Sequence, residues 1–401
     1  MVTQLKNVEK SAFSVPALVW KRRYVFLTGA TGMLGAYFLR ELLLQGQQVA
    51  VLVRPHRRQN AESRIETLLS LWENGRSPLP RPLVIEGDLC RKDWTERYSV
   101  WFRQNVETVI HSAASLSFYG QSDAEPYLTN RNGTKNVLAL CRSAEIREFH
   151  HISTAYVAGT QRFFTEKDCE VRQKFRNDYE RSKIAAERLV RTFGFESLTV
   201  YRPSIVIGDT RNGYTATFSG LYAALKLVHT LVSRLSLGST SAKMALRFLG
   251  MNGNEQKNLV PVDWVASVLT HIFTHRELHG KTYHLTNPDP PKMKLVAQTI
   301  QQTVEHFSVL ASENDQMRCS EEWFRENFMT QMTLFRAYLN EDAHFDSTNT
   351  QLAAPQFPCP RVDSELLMFL FRRAIESHFG KTWEFLKTKP QSDTRACWSS
   401  E

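Results

Sequence analysis

The sequence predicts an α/β fold, a doubly wound parallel sheet joined to a smaller, mostly helical part. Three observations predict it. Short apolar runs alternate with helix-patterned stretches through the first half; glycines at three-residue spacing join the first apolar run to the first helix; and beyond about residue 208 helical pattern takes over. Hydrophobic residues make up 42% of the 401 positions and charged residues 23%, which is the mixture of a folded chain with a large core. That length suits one large domain with a smaller second part.

The elements follow in order. Strands are predicted at Tyr24–Leu27, Gln48–Val53, Leu83–Ile85, Val106–His111, Glu148–Ser153 and Leu198–Tyr201, each a short apolar run bounded by polar residues or glycine. Helices are predicted near Met33–Leu44, Ala61–Trp72, Pro126–Cys141 and Asp178–Phe193. Gly46 stands where the first helix should end, and the Gly- and Pro-rich stretch Asn74–Pro82 is neither helix nor central strand. Phe218–Leu237 is apolar but interrupted at helical spacing by Lys226, His229 and Arg234, so it reads as an amphipathic helix. The runs "NLVPVDWVA" and "YHLTN" look like a return to the sheet, and Phe357–Pro360 breaks the last helical region.

The resulting division is an N-terminal extension (1–22), a dinucleotide-binding domain of the Rossmann type (23–208), a helical substrate-binding insertion (209–258), a return to the sheet (259–290) and a C-terminal helical lid region (291–401).

Lys and Arg number 50 against 41 Asp and Glu, a formal charge of +9 that favours anionic partners: phosphorylated cofactors, coenzyme A, acidic carrier proteins. The charges are spread along the chain, so a merely well-solvated basic surface reads equally well. Basic and aromatic residues are not interleaved, which argues against nucleic acid. Six scattered cysteines with no C-x-x-C pair and no clustered histidine spacing give no metal signal and suggest free thiols in a reducing compartment. The first twenty residues do not read as a secretion signal, and no stretch of apolar residues is long enough to predict a transmembrane segment. The cytoplasm is the expected location.

The turn "TGATGMLG" places Gly29, Gly32 and Gly35 between the first strand and the first helix. A pyrophosphate binds at such a turn because glycine lets the backbone approach closely and the helix N-terminus offers unpaired N–H groups. Thr28, Thr31, Met33 and Leu34 complete this candidate site. The second strand ends in "AVLVRPHRR", without the acid that would accept from the 2′-hydroxyl of NAD. Arg54 offers a fork to the 2′-phosphate of NADPH instead, with Arg64 as a second contact. Asp88 and Leu89, after the third strand, are candidates for the adenine side.

Tyr179 and Lys183 are four apart on a predicted helix and share one face. A phenol titrates near pH 10, and a neighbouring ammonium is expected to lower that value and make it an acid–base group. Ser153 and Thr154 stand at the C-terminal end of a predicted strand, where open α/β sheets bind ligands.

These motifs, with "HSAAS", "NRNGTKNVL", "HISTAYV", "YERSK", "YRPSIVIGD" and "NLVPVDWVA" in order over Tyr24–Pro288, resemble the extended short-chain dehydrogenase/reductase superfamily, and most closely its thioester reductase domains and fatty acyl-CoA reductases. The resemblance implies that Thr154 and Tyr179 hydrogen-bond the substrate carbonyl while Lys183 holds the nicotinamide ribose. It implies that Asn130 steadies the active-site helix or a proton-relay water, that His111, Ala113 and Ala114 line the cofactor trough, and that Pro203 and Ser204 lie beside the nicotinamide. The implied reaction is NADPH-dependent reduction of an acyl thioester, on coenzyme A or a separate carrier protein, to an aldehyde or on to the alcohol. Other members of the superfamily act on a ketone, an enone or a sugar nucleotide, and an idle relative could serve as a non-catalytic NADPH sensor. The apolar stretch after Gly208 favours a lipid-like substrate, and retention of Tyr179 and Lys183 favours an enzyme. His150 and His151 depart from the apolar residues usual in that strand.

Overall fold

Apolar runs of four to seven residues need a sheet covered on both faces, and the chain supplies one. The computed structural model describes residues 23–381, apart from 74–76, 121–123, 170, 219, 235–249 and 309–340. β1 (Tyr24–Thr28) leads into α1 (Met33–Leu44), β2 (Gln48–Val53) into α2 (Ala61–Glu73), and β3 (Leu83–Glu86) into α3 (Asp93–Asn105). β4 (Val106–His111) is followed by α4 (Thr134–Ser143), β5 (Glu148–Ile152) by α5 (Asp178–Arg191), and β7 (Ser197–Pro203) ends the first half; β6 (Phe163–Phe164) is a short strand outside this sheet. With β10 (Thr282–Leu285) at one edge, the strands run β10-β7-β5-β4-β1-β2-β3, every pair parallel. This is the Rossmann-like order, in which the sheet grows outward from β1 in both directions.

The two faces bury different sets. Leu39, Leu42 and Leu43 of α1 pack with Val265, Leu269 and Ile272 of α7 (Val262–Thr274) on one side. On the other, Phe26, Val109 and Phe149 meet Trp94, Phe102 and Val137 from α3 and α4. Gly46, at φ 71°, closes α1 by donating its N–H to the Leu43 carbonyl, a left-handed position that glycine occupies without a Cβ penalty.

Three points differ from expectation. α3 was not anticipated, although Trp94, Tyr98 and Phe102 mark one face at four-residue spacing; it runs straight into β4, with no turn residue to separate them. The helix expected at Pro126–Cys141 is a π-helical turn, Leu128–Gly133, followed by α4. The run "LVP" joins the main sheet nowhere: β9 (Leu259–Pro261) pairs in parallel with β8 (Ile205–Ile207) as a separate ribbon. Among the described residues the C-terminal region is mostly helical and carries one short strand, β11 (His344–Phe345), which pairs with β6.

The helical part has a core of its own. Tyr222 and Leu225 of α6 (Leu221–Arg234) pack with Val296 and Ile300 of α8 (Met293–Ser308) and with Leu367 and Phe371 of α10 (Ser364–Glu376), which follows the short α9 (Thr348–Ala353). The remainder of the Phe218–Leu237 stretch beyond Arg234 lies outside the described residues. No described helix is long and apolar enough to cross a membrane.

Candidate active site

Because the strands are parallel, the residues that follow them gather along one edge. Gly29 follows β1, Arg54 follows β2, Asp88 lies just past β3, Ala113 and Ala114 follow β4, Thr154 follows β5, and Pro203 ends β7 with Ser204 just past it. The sheet thus brings together candidates that are far apart in sequence.

The glycine turn has a separate steric reason at each position. Gly29 adopts φ 78°, and a Cβ there would lie 2.6 Å from the Ala113 nitrogen. A Cβ on Gly35 would lie 2.1 Å from the Gly29 carbonyl oxygen, so α1 could not sit this close to the turn. Gly32 precedes α1 and donates to the Gly29 carbonyl at 2.9 Å; a Cβ there would meet that oxygen alone, at 3.3 Å, and otherwise open space. The N-terminus of α1 is therefore approachable on that side, as an anion requires. Thr31 is exposed at the tip of the turn, while Met33 and Leu34 are half-buried; Met33 takes a hydrogen bond from Thr215 through its sulfur at 3.3 Å, and Leu34 packs on the core.

Thr28 works inward. Its hydroxyl accepts from the Ser112 and Ala113 amides, both at 3.2 Å, and meets Nδ1 of His111 at 2.8 Å. With two amides already donating, the hydroxyl proton goes to His111, whose Nε2–H then faces the Thr134 hydroxyl at 2.9 Å; Thr134 in turn donates to the Asn130 carbonyl at 2.6 Å. Burial, helped by the charge of Lys183, lowers the His111 pKa to about 3. His111 is 1% exposed, so it braces the trough from behind, whereas Ala113 and Ala114 are half-buried at the trough itself.

Arg54, exposed, and Arg64, half-buried, lie together beyond β2, with the Arg64 guanidinium donating to the Arg54 carbonyl at 2.6 Å. Beside them a cleft of about 240 Å³ opens between β2 and β3, lined by Pro55, Gly87, Asp88, Arg91, Trp94 and Arg97. The volume suits a purine ring and not a whole dinucleotide. Asp88 borders it while its carboxylate accepts from the Cys90 amide at 2.9 Å. Leu89 is 7% exposed, directly against Gly133, and its carbonyl takes a hydrogen bond from Asn136 at 2.9 Å; it belongs to the wall behind the cleft.

Tyr179 and Lys183 occupy successive turns of α5, which starts at Asn177, a cap whose side chain accepts from the Glu180 amide at 3.0 Å. Lys183 is 3% exposed and donates to the Ile152 carbonyl at 2.7 Å, two residues before Thr154. Thr154 is hydrogen-bonded to the Tyr179 side chain and lies 3.4 Å from the Pro203 carbonyl. Asn130 ties the parts together: its Oδ1 accepts from the Ser115 amide at 2.7 Å, and its Nδ2 donates to the Ser115 carbonyl and to the Ser182 hydroxyl on α5. It sits in the π-helical turn, a widened turn of a kind found often at functional sites.

The expected lowering of the Tyr179 pKa by Lys183 is absent. Burial dominates and pushes the phenol up to about 12, against the hydrogen bond from Thr154, and Lys183 is not among the groups that shift it. Burial also lowers Lys183 to about 8, partly opposed by Glu187. Tyr179 is therefore held as a proton donor at neutral pH.

Residues missed in the sequence support this pair. Glu187, one turn beyond Lys183, is fully buried and takes hydrogen bonds from Ser153 at 2.6 Å, Arg202 at 2.6 Å and Arg191 at 2.9 Å. The signal was present: Tyr179, Lys183 and Glu187 repeat at four residues, and Arg202 is a charge inside an apolar strand. The motifs "IVIGD" and "VPVDW" also meet, through Arg211, which is 2.9 Å from Asp209 and 3.8 Å from Asp263. At the rim, Asp342 accepts from Tyr156 at 2.7 Å and pairs with Lys257 at 3.1 Å, bringing the C-terminal part to the turn that follows Thr154. His151 stacks on His111 with ring centroids 5.7 Å apart, and both its ring nitrogens are buried without a hydrogen-bond partner.

Known proteins carry the same arrangement of chain. A family model described as male sterility protein, an NAD-binding family, matches residues 27–269. The nonribosomal peptide synthetase asaC of Aspergillus flavus is 28% identical over 289 residues, 66% of this chain and 26% of the relative. The L-2-aminoadipate reductase of Schizosaccharomyces pombe is 27% identical over 293 residues, 66% of this chain and 19% of the relative. The chain thus spans about a quarter or less of the length of these two relatives. Among solved structures, the terminal R domain from the myxalamid PKS-NRPS pathway superposes with a TM-score of 0.68 at 23% identity, covering 90% of this chain and 92% of that one.

Proposed function

This chain belongs to the NAD-binding family described as male sterility protein, within the extended short-chain dehydrogenases/reductases, and from that membership we propose that it reduces an acyl thioester to an aldehyde, or on to the alcohol, with NADPH. The observation that carries the reading is the meeting of Thr154, Tyr179 and Lys183 beside the glycine turn at one sheet edge.

The residues fit a dinucleotide. The open face at Gly32 leaves room for a pyrophosphate over the α1 N-terminus, the purine-sized cleft lies at Asp88, and the buried Ser204 hydroxyl, without a protein partner, lies just past β7, one residue beyond the Pro203 carbonyl that Thr154 meets. The bound cofactor would supply the hydride. Thr154 and Tyr179 would bind and orient the acyl carbonyl oxygen, and Tyr179 would give its proton to that oxygen as negative charge develops there. Lys183 would hold the ribose, with Ile152 and Glu187 fixing its place. Asn130 would keep α5 in register with the β4 loop. The helical part, residues 209–258 with the C-terminal region from 291, would receive the acyl chain. An acyl group on coenzyme A or on the arm of a carrier protein is the substrate class that the relatives' names favour.

The test is NADPH consumption by the purified protein against acyl-CoA and acyl-carrier thioesters of several chain lengths, with mass analysis of products. Aldehyde or alcohol together with free thiol is the expected result. NADPH binding without thioester reduction would redirect the search to ketones, enones and sugar nucleotides. Arg54→Ala is expected to raise the KM for NADPH by about 10- to 100-fold, the worth of a charged hydrogen bond, and to leave that for NADH nearly unchanged. Equal losses for both cofactors would remove Arg54 from the 2′-phosphate.

A further inference from the structure

The opposite end of the sheet carries a second cluster of polar groups that the reduction does not use. Glu148 is the first residue of β5, at the foot of the sheet, whereas Thr154 lies just beyond its other end. Oε1 of Glu148 stands 3.0 Å from Nε2 of His150 and 2.9 Å from Nδ1 of His279. All three ligand atoms lie within 4.8 Å of one another, and the two imidazole rings meet at 86° with centroids 4.7 Å apart.

The outer nitrogen of each ring is already occupied by protein. Nε2 of His279 is 3.1 and 3.0 Å from the carbonyls of Ile272 and Phe273, which can only accept, so that nitrogen carries a proton. Nδ1 of His150 is 3.0 Å from the Tyr201 hydroxyl. With that nitrogen protonated, the inner nitrogen of a neutral His279 turns its lone pair toward the Glu148 carboxylate and toward Nε2 of His150, a convergence of donors that either a ring proton or a bound cation can satisfy. A ring held by its outer N–H to a backbone carbonyl, with its inner nitrogen turned to a shared point, is how proteins orient metal-binding histidines. We propose that Glu148, His150 and His279 bind one divalent transition metal, zinc by donor type, that braces the foot of β5 against the loop after α7.

Two imidazoles and a carboxylate suit zinc, with bonds of about 2.0–2.2 Å and a fourth position left for water. A tetrahedral site needs donors about 3.3 Å apart, so the carboxylate has to retreat by a few tenths of an ångström. Glu148 has the room, since its side chain is 18% exposed and borders a cleft of about 400 Å³ shared with Glu107, Glu145 and Arg147. That cleft opens the Glu148 side of the cluster to solvent. No sequence spacing could have signalled the site, because it joins a strand to a loop distant in the chain.

The test is calorimetric titration of the metal-stripped full chain with ZnCl2, alongside Glu148→Gln and His279→Gln. One zinc per chain is expected, weakened roughly a hundredfold or more in each variant, while NADPH binding, at the other end of the sheet, is unaltered. Absence of stoichiometric binding, or binding undiminished in both variants, would overturn the proposal and leave a proton on His279, paired with Glu148. Co2+ added to the wild-type protein gives a reading that needs no variant: a tetrahedral spectrum without thiolate charge-transfer is expected. A thiolate band would place the metal on a cysteine and equally sink the assignment.

Discussion

Tyr179→Phe is expected to lower kcat for thioester reduction by about a hundred- to ten-thousand-fold, the usual worth of a positioned general acid, with NADPH affinity unchanged. The substitution removes one hydroxyl and keeps the ring that lies edge-on to Phe118, 6.4 Å between centroids. In the proposed reaction, what is lost is the proton that Tyr179 would give to the acyl carbonyl oxygen beside Thr154. Burial holds that proton on the phenol, with a pKa near 12, so the wild-type donor is in its active state across neutral pH and the variant has nothing to replace it. Steady-state kinetics with cofactor binding followed by fluorescence separates the two effects. Turnover equal to wild type would sink the acid role; loss of turnover together with loss of cofactor binding would point to a collapsed site instead.

Glu187→Gln is expected to cost about 3–5 kcal/mol of stability, seen as a lower denaturant midpoint. Arg202 is fully buried, and removal of the carboxylate charge leaves its guanidinium, with that of Arg191, short of an anionic partner. The Arg202 groups that remain paired, with His284 at 3.1 Å and the Asp168 carbonyl at 2.7 Å, carry no compensating charge. The pH dependence follows from the same pairing. Burial opposes ionisation of Glu187, but the two arginines and Ser153 outweigh it and hold its pKa well below the ordinary carboxylate value. A depressed pKa means stability present in full above the unfolded value, about 4.3, and lost as pH falls through the folded one. The gap between wild type and variant should therefore be widest at neutral pH and shrink below about pH 4. A midpoint unchanged by the substitution at pH 7 would show that Glu187 does not hold the network.

Much of the first half was legible because its signals are local. A strand buried on both faces must be continuously apolar, and a helix over one face must repeat its apolar residues at 3.6, so β1, β2, α1 and α5 could be read from spacing alone. The glycine turn was readable for the same reason: its backbone constraint falls on consecutive residues. α3 escaped because its face is built from Trp94, Tyr98 and Phe102 within a polar stretch, and no glycine or proline separates it from β4.

The sequence by itself determined the main strands, the helices α1, α2 and α5, the glycine turn and the Tyr179–Lys183 pair, since each depends on residues within a turn or a strand of one another. Only the tertiary structure decided the electrostatics of that pair. Lys183 points to Ile152, burial raises Tyr179 rather than letting the ammonium lower it, and Glu187 on α5 meets Arg202 on β7. It also brought Asp209 to Asp263 through Arg211, Asp342 to Tyr156, and Glu148 to His279. A charge responds to every group within a few ångströms and to the water excluded around it, and neither is a property of position along the chain.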